Sequence, residues 1–257
     1  MLELKNITKV YDPGTVTETT LFKNFNLTVQ DGQFVSVVGS NGSGKTSLLN
    51  IICGSLPVEG GSVSIGGRDI TKVKEFRRHT RIGRVYQNPS MGTCPSLTIL
   101  ENLSLADNKG KRFGLSRSVN RRRVEAYREM LRPLHMGLED RMNQTVGTLS
   151  GGQRQALALI ISTMSPVSLL ILDEHTAALD PKSSETVMEL TERVVREKQL
   201  TTLMVTHNLR FAAQYGNRLL MMHQGEAVLD LVDQEKENCS ADHLVDVFAD
   251  ISIELGN

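Results

Sequence analysis

The stretch Gly39-Ser40-Asn41-Gly42-Ser43-Gly44-Lys45-Thr46, "GSNGSGKT", decides how this chain is read. It has the spacing G-x-x-x-x-G-K-[ST] and stands between an apolar run, "QFVSVV", and a helical pattern, "KTSLLNIIC". Glycines let a backbone turn its N–H groups inward onto phosphate oxygens. A helix start adds about half a positive charge at the same place. Lys45 has the reach for the outer phosphates, and the Thr46 hydroxyl suits Mg²⁺, a hard ion that prefers oxygen. With Gly at roughly 7% of residues, the spacing arises by chance in about one chain in a hundred of this length. The strand and helix on either side lower that further. All eight residues are therefore expected to line a nucleotide.

Composition narrows the class. Lys plus Arg equals Asp plus Glu over 257 residues, 29 each, so the formal net charge is zero. A chain that coats nucleic acid needs a basic surface, so no nucleic-acid partner is expected. Cys53, Cys94 and Cys239 are scattered without metal-ligand spacing, which fits a reducing compartment. The start, "MLELKNITKV", is charged and alternating, unlike a signal peptide. No apolar run approaches the ~20 residues that span a bilayer. Any membrane role is expected to come through a partner.

Leu2 to Val10 and "NLTVQ" alternate as half-buried strands do. "GSVSI" with its following glycines reads as strand and turn, and "RIGRVY" as another strand. Gly54 is placed to end the first helix. From 88 to 148 no convincing strand appears, and "VEAYREMLRPL" is helical, so this segment reads as an inserted helical lobe. "VSLLIL" and "TTLMV" then flank the helix-like "SSETVMELTERVVREKQL", the alternation of a parallel sheet with crossover helices. The tail "SADHLVDVFADI" reads as a helix capped by Ser240, its apolar stripe more often packed on the core than offered to a partner.

Two carboxylates close the strand "LLILDE". Ligands of open parallel sheets gather at the carboxyl ends of strands. Asp173 is placed to hold Mg²⁺, and Glu174, one residue on, to polarise a water for attack on a γ-phosphate. Without the phosphate loop upstream, such a pair would be a polar turn. His207 stands two residues beyond "TTLMV", after Thr206, where it is either structural or a donor to the γ-phosphate. Gln87 follows "RVY" and is either a solvated loop residue or an amide facing Mg²⁺ or water.

A second glycine stretch, "LSGGQ", begins at Leu149. Ser150 and Gln153 have the S-x-x-Q spacing of a capping box, so a well-made helix start is the plain reading. It leaves Gly151 and Gly152 unexplained, since each glycine weakens a helix by up to ~1 kcal/mol relative to Ala. Bare backbone makes sense where an anion comes close. If the helical lobe holds this half-site away from "GSNGSGKT", the two meet only between two chains.

These motifs together resemble the ATP-binding cassette subunits of ABC transporters. The likeness runs from Leu2 to about Asp230 and rests on "GSNGSGKT", "VYQN", "LSGGQ", "LLILDE", "AALD" and "VTHN", in the family's order. It implies an α/β fold of P-loop NTPase type, with an N-terminal antiparallel β subdomain and an inserted helical subdomain. The implied division is a core of 1–87 and 149–231, a helical subdomain of 88–148 and a tail of 232–257. The resemblance makes Gly39 to Thr46 the Walker A loop and Gln87 the lid glutamine. It makes Ser150, Gly151, Gly152 and Gln153 the signature acting on a partner's ATP. Asp173 becomes the Walker B aspartate, Glu174 the catalytic base, Leu179 and Asp180 the dimer-contacting loop, and His207 the switch histidine. Tyr11 stands where an adenine-stacking aromatic usually lies; its plain reading is an edge-strand aromatic.

The resemblance further implies ATP and Mg²⁺ as ligands and a head-to-tail homodimer sandwiching two ATP. It implies integral-membrane permease subunits, an extracytoplasmic substrate-binding protein and residence on the cytoplasmic face of the membrane. Two departures stand out. His175 replaces the Pro that usually follows the catalytic Glu, and Ala156 and Ile161 occupy positions on the signature helix that often carry Arg. "DEHTAALDP" is similar to cassettes of amino-acid importers, aromatic ones included. The rival reading, a soluble ABC ATPase acting on nucleic acid or ribosomes, would add a second cassette, a long coiled coil or a zinc insertion. The basic cluster Lys109, Lys111, Arg112, Arg117 and Arg121 to Arg123 reads as a solvated face more readily than as a membrane or permease contact.

Overall fold

Strand β1 (Leu2–Tyr11) buries Leu2, Leu4 and Ile7 and pairs antiparallel with β2 (Thr19–Val29). The structure, a computed structural model, describes residues 1–111 and 119–254. The chain forms two compact units, Met1–His79 with Lys198–Asn257, and Thr80–Glu197. In the first, β3 (Phe34–Gly39) is buried at all six residues and runs through the loop 40–44 into helix α1 (Lys45–Cys53). Gly54 ends that helix in the left-handed conformation, φ 88°, as its position in the sequence suggests. Strands β4 (Gly60–Ile65) and β5 (Arg68–Asp69) complete an antiparallel sheet of order β2-β1-β4-β5. A short helix, α2 (Glu75–Arg78), follows.

Arg78 holds the far end of α1. Its buried guanidinium donates to the carbonyls of Ile51 (2.8 Å), Ile52 (3.0 Å), Thr71 (2.7 Å) and Val73 (2.8 Å). Ile51 and Ile52 lie in the last turn, where carbonyls lack helical partners and a cation is favoured by the helix dipole. Gly54 makes room for it: a Cβ there would lie 2.6 Å from Arg78 Nε.

In the second unit, β6 (Ile82–Val85) pairs in parallel with β7 (Leu169–Asp173), with Arg84 opposite Ile171. Between 88 and 148 the described residues form α3 (Ile99–Asp107), α4 (Val124–Leu131) and single 3₁₀ turns, with one isolated bridge between Thr98 and Thr145. Helix α3 carries a capping box, Thr98 with Glu101, which the pattern reading passed over. Arg123 and Lys111 of the basic cluster both pair with Asp107 (Lys111 at 3.6 Å), and Tyr127 donates to the same carboxylate at 3.1 Å. Arg112 and Arg117 lie outside the described residues. Helix α5 (Gly151–Thr163) packs closely on β6, since a Cβ on Gly83 would lie 2.5 Å from the Ser162 carbonyl oxygen. Helix α6 (Pro181–Lys198) follows β7.

The first unit resumes with β8 (Thr202–Val205), α7 (Leu209–Gln214), β9 (Arg218–His223), β10 (Glu226–Val232), α8 (Gln234–Glu237) and α9 (Ala241–Glu254). Strand β3 pairs in parallel with β8 on one side and β9 on the other, and β10 folds back antiparallel on β9. Ser240 accepts from His243 N–H at 3.1 Å at the start of α9. Leu244, Val247 and Phe248 pack on Val38, Ala212, Leu219 and Met221, so the tail's stripe belongs to the core.

Arg78→Ala is expected to destabilise the chain by about 2–4 kcal/mol, because it leaves buried carbonyls unpaired and opens a cavity. Urea unfolding of wild type and variant measures this. A loss under about 0.5 kcal/mol would place those carbonyls in water instead.

Candidate functional site

The phosphate loop is shaped by backbone that comes too close for side chains. A Cβ on Gly39 (φ 152°) would lie 2.2 Å from the Met222 carbonyl oxygen on β9. Gly225, in the β9–β10 turn, donates its N–H to the Ser43 carbonyl at 3.0 Å, and its own Cβ would lie 1.7 Å from Leu21 O. Gly44 caps α1 at φ 102° against the Phe22 ring and, as glycine, brings no side-chain cap. The first N–H groups of a helix lack intrahelical partners and favour an anion. Lys45 is 5% exposed, and its ammonium donates to the carbonyls of Gly39 and Ser40, both at 2.8 Å. The loop is thus tied to its own lysine. Ser43 is buried with it, whereas Asn41, Gly42 and Thr46 are exposed. Tyr11 lies beside this loop's helix: its hydroxyl is 2.9 Å from Ser47 Oγ, its ring is 37% exposed, and Lys9 Nζ sits 5.4 Å from the ring centre. Exposed His207 follows β8 in the same unit, one residue before the N-cap of α7.

In the other unit, the end of β7 places Asp173 and Glu174. Asp173 Oδ2 accepts from Arg84 Nη2 at 2.6 Å, with side chains 17% and 8% exposed. Glu174 adopts φ 48°, in the left-handed region. A non-glycine residue there costs of order 1–3 kcal/mol and persists where its surroundings impose it. The surroundings include His175, which is 2% exposed. Thr191 on α6 donates its one hydroxyl hydrogen to Val187 O at 2.7 Å, so it accepts from His175 Nε2 at 3.1 Å. His175 therefore carries a hydrogen on Nε2, and its burial favours the neutral ring. Burial pulls it from the usual 6.5 to about 4. The turn beyond ends at Asp180, whose carboxylate accepts from Ser183 N–H at 3.0 Å and is held below the usual range by that residue's hydrogen bonds.

The capping box at Ser150 is complete: Ser150 Oγ accepts from Gln153 N–H at 3.2 Å, and Gln153 Oε1 from Ser150 N–H at 3.1 Å. The two glycines have a reason in packing that the sequence did not show. A Cβ on Gly151 would lie 3.0 Å from Leu179, and one on Gly152 would lie 3.2 Å from Ser183 Cβ. Bare backbone here lets α5 meet the turn before α6. From α5, Gln155 donates to the Tyr86 carbonyl at 2.9 Å, one residue before exposed Gln87. Gln155, Arg84 and the hydrogen bond of His175 escaped pattern reading. The signal for Arg84 was a charge inside a short apolar strand.

The residues also fit a magnesium–nucleotide complex. Among the described residues, no group of three or more His, Cys, Asp or Glu side chains forms a metal cluster. Mg²⁺ needs no such cage, because it takes one or two protein oxygens and completes its shell with phosphates and water. Asp173 and Thr46 offer oxygens of that kind.

The family model described as ABC transporter matches residues 22–177. The tyrosine transport ATP-binding protein of Clostridioides difficile is 47% identical over 248 residues, 96% of this chain and 98% of that protein. A phosphonates import ATP-binding protein of Oceanobacillus iheyensis is 30% identical over 237 residues, 90% of this chain and 89% of that one. The dimeric, post-hydrolysis structure of the cassette MJ0796 of Methanocaldococcus jannaschii, bound to ADP and Pi, is similar with a TM-score of 0.75. It is 31% identical, across 90% of this chain and 98% of the other.

His175 makes stability pH-dependent. The unfolded state binds a proton near pH 6.5 and the folded state only near 4, so stability is full above 6.5 and falls as pH drops towards 4. The loss from this group is about 3 kcal/mol and levels off below about pH 4. Urea unfolding across that window is expected to show the slope in wild type and to lack it in His175→Gln, which keeps a donor for Thr191. Equal slopes in both proteins would assign the effect elsewhere.

Proposed function

The chain belongs to the ABC transporter family as an ATP-hydrolysing cassette, and from that premise we propose that it powers an importer of small solutes of amino-acid type. In this reading the chain sits on the cytoplasmic face of the membrane, and its partners are a second copy of itself, integral-membrane permease subunits and an extracytoplasmic substrate-binding protein. The identity of nearly half the residues with a tyrosine transport cassette, over almost the whole of both chains, supports an aromatic amino acid as cargo.

The observation that carries the hydrolytic reading is the end of β7, where Glu174 is held at φ 48° immediately after Asp173. Strain of this kind clusters where a side chain must be aimed. Lys45, with the N–H groups of the loop from Gly39 to Thr46, binds the phosphates. Tyr11 stacks on the base. Thr46, Asp173 and Gln87 would hold Mg²⁺, which would neutralise phosphate charge. Glu174 takes the proton of the attacking water, and His207 donates to the γ-phosphate. Ser150 still has its hydroxyl hydrogen to give. With the N–H groups of Gly151 and Gly152 and the side chain of Gln153, it engages the ATP of the second copy. Asp180 caps α6 and lies at the seam between copies. The segment 88–148 is the lobe that carries the signature's approach.

Glu174→Gln is expected to retain ATP binding, slow hydrolysis by about 10²–10⁴ and accumulate an ATP-bound dimer. Turnover at the wild-type rate would rule out Glu174 as base. The trans arrangement is tested by mixing Lys45→Ala chains with Ser150→Arg chains. Each alone forms only damaged sites, whereas a mixed dimer has one intact site and recovers part of the activity. A signature serving its own chain would recover nothing. A dimer of wild type with a chain carrying both changes would then be the active one. For cargo, the complex reconstituted with its permease is expected to hydrolyse ATP faster with tyrosine-loaded binding protein. Stimulation by a phosphonate instead would move the substrate class.

A further inference from the structure

Arg84 sits at the carboxylate on which the metal depends. It projects from β6, is 8% exposed, and gives Asp173 Oδ2 a hydrogen bond of 2.6 Å. Its guanidinium carbon lies 4.7 Å from the centre of the Tyr86 ring, and the Tyr86 carbonyl is held by Gln155, itself fully buried. The arginine is thus fixed from two sides, by an ion pair and by a ring whose own backbone is tied to α5. A cation in this place has two effects on the same group. It satisfies a carboxylate that is largely withdrawn from water. It also repels any second cation that approaches that carboxylate.

We propose that Arg84 is an internal competitor of Mg²⁺ at Asp173, a positioning residue that sets the magnesium concentration at which the metal–nucleotide complex binds. The inference rests on the reading above that Asp173 serves the metal. Without nucleotide, the guanidinium neutralises Asp173 and holds one of its oxygens. When Mg²⁺ arrives with nucleotide, it either shares the carboxylate with Arg84 or displaces it, and both raise the magnesium required. A neutral side chain at 84 removes the competitor and leaves a carboxylate that gains more from the metal than before.

The test uses the full chain and a fluorescent, non-hydrolysable ATP analogue titrated with Mg²⁺. The readout is the Mg²⁺ concentration at half-maximal binding. Arg84→Met is expected to lower that midpoint about tenfold. Arg84→Gln, which keeps a neutral donor for Asp173 and so guards against poor folding, is expected to lower it in the same direction. Arg84→Lys keeps the charge and stays within about twofold of wild type. Melting with and without Mg²⁺ and analogue gives a second readout. The neutral variants should melt lower alone and gain more on binding than wild type does. A merely structural arginine would lower the melting temperature and leave the midpoint unmoved. That result, or a raised midpoint, overturns the inference. Asp173→Asn separates the two levels. If it leaves the midpoint at the wild-type value, the metal assignment of Asp173 fails and takes the competition with it. If it raises the midpoint while the neutral Arg84 variants do not lower it, the competition alone fails.

Discussion

The functional loop depends on one constraint, the approach of backbone to backbone at distances that exclude a Cβ atom. Gly39 lies against the Met222 carbonyl, and Gly225 lies against that of Leu21 while donating its N–H to Ser43. These contacts press the loop after β3 onto β9 and the turn beyond it. Any larger residue would push the loop outward or force the strands apart. The loop's conformation is therefore set by the sheet behind it. Lys45 reinforces it by binding two of the loop's own carbonyls. Carbonyls satisfy an ammonium's hydrogen bonds without carrying a formal charge.

The two glycine-rich helix starts solve different problems with the same residue. Helix α1 has no side-chain cap and is held at its other end by Arg78. Helix α5 caps itself through Ser150 and Gln153, and its glycines serve close packing against Leu179 and Ser183. An uncapped start keeps its donors for a ligand. A capped start gives up one N–H to Ser150 and retains those of its first two residues. Gly151 and Gly152 can meet an anion as well as a neighbouring turn, because a missing side chain clears space on both counts.

Much of this was legible before the fold was known. "GSNGSGKT" carries its own geometry, since its glycines and lysine act through local backbone. The end of α1 at Gly54, the capping box at Ser150 and the cap at Ser240 are equally local. What escaped was long-range. β9 and β10 have few of the turn-bounded alternations that mark strands, because β9 is buried at five of six residues while β10 is mostly exposed. The capping box of α3 was passed over because no strong periodic run follows it. Arg84 meets Asp173 only because β6 and β7 run side by side in one register, and no spacing along the chain encodes a distance of 89 residues. His175 was visible as a departure from Pro, but its partner on α6 was not.

The end of β7 brings these long-range contacts to one place. A proline after Glu174 would restrain the turn through its ring, and its absence has to be compensated if Glu174 is to stay at φ 48°. His175 does this by burial and by one directed hydrogen bond to Thr191. The substitution exchanges a covalent restraint for a non-covalent one, in a burial that favours the neutral ring. On the other side, Arg84 fixes Asp173 through charge. Asp173 thus rests on a salt bridge, and Glu174 is followed by a buried histidine packed into the same turn. A paired carboxylate responds to any cation that competes for it. A backbone held at φ 48° beside a buried neighbour fixes where the Glu174 side chain starts. In the proposed mechanism, this suits Asp173 to exchanging partners and Glu174 to staying aimed at one water.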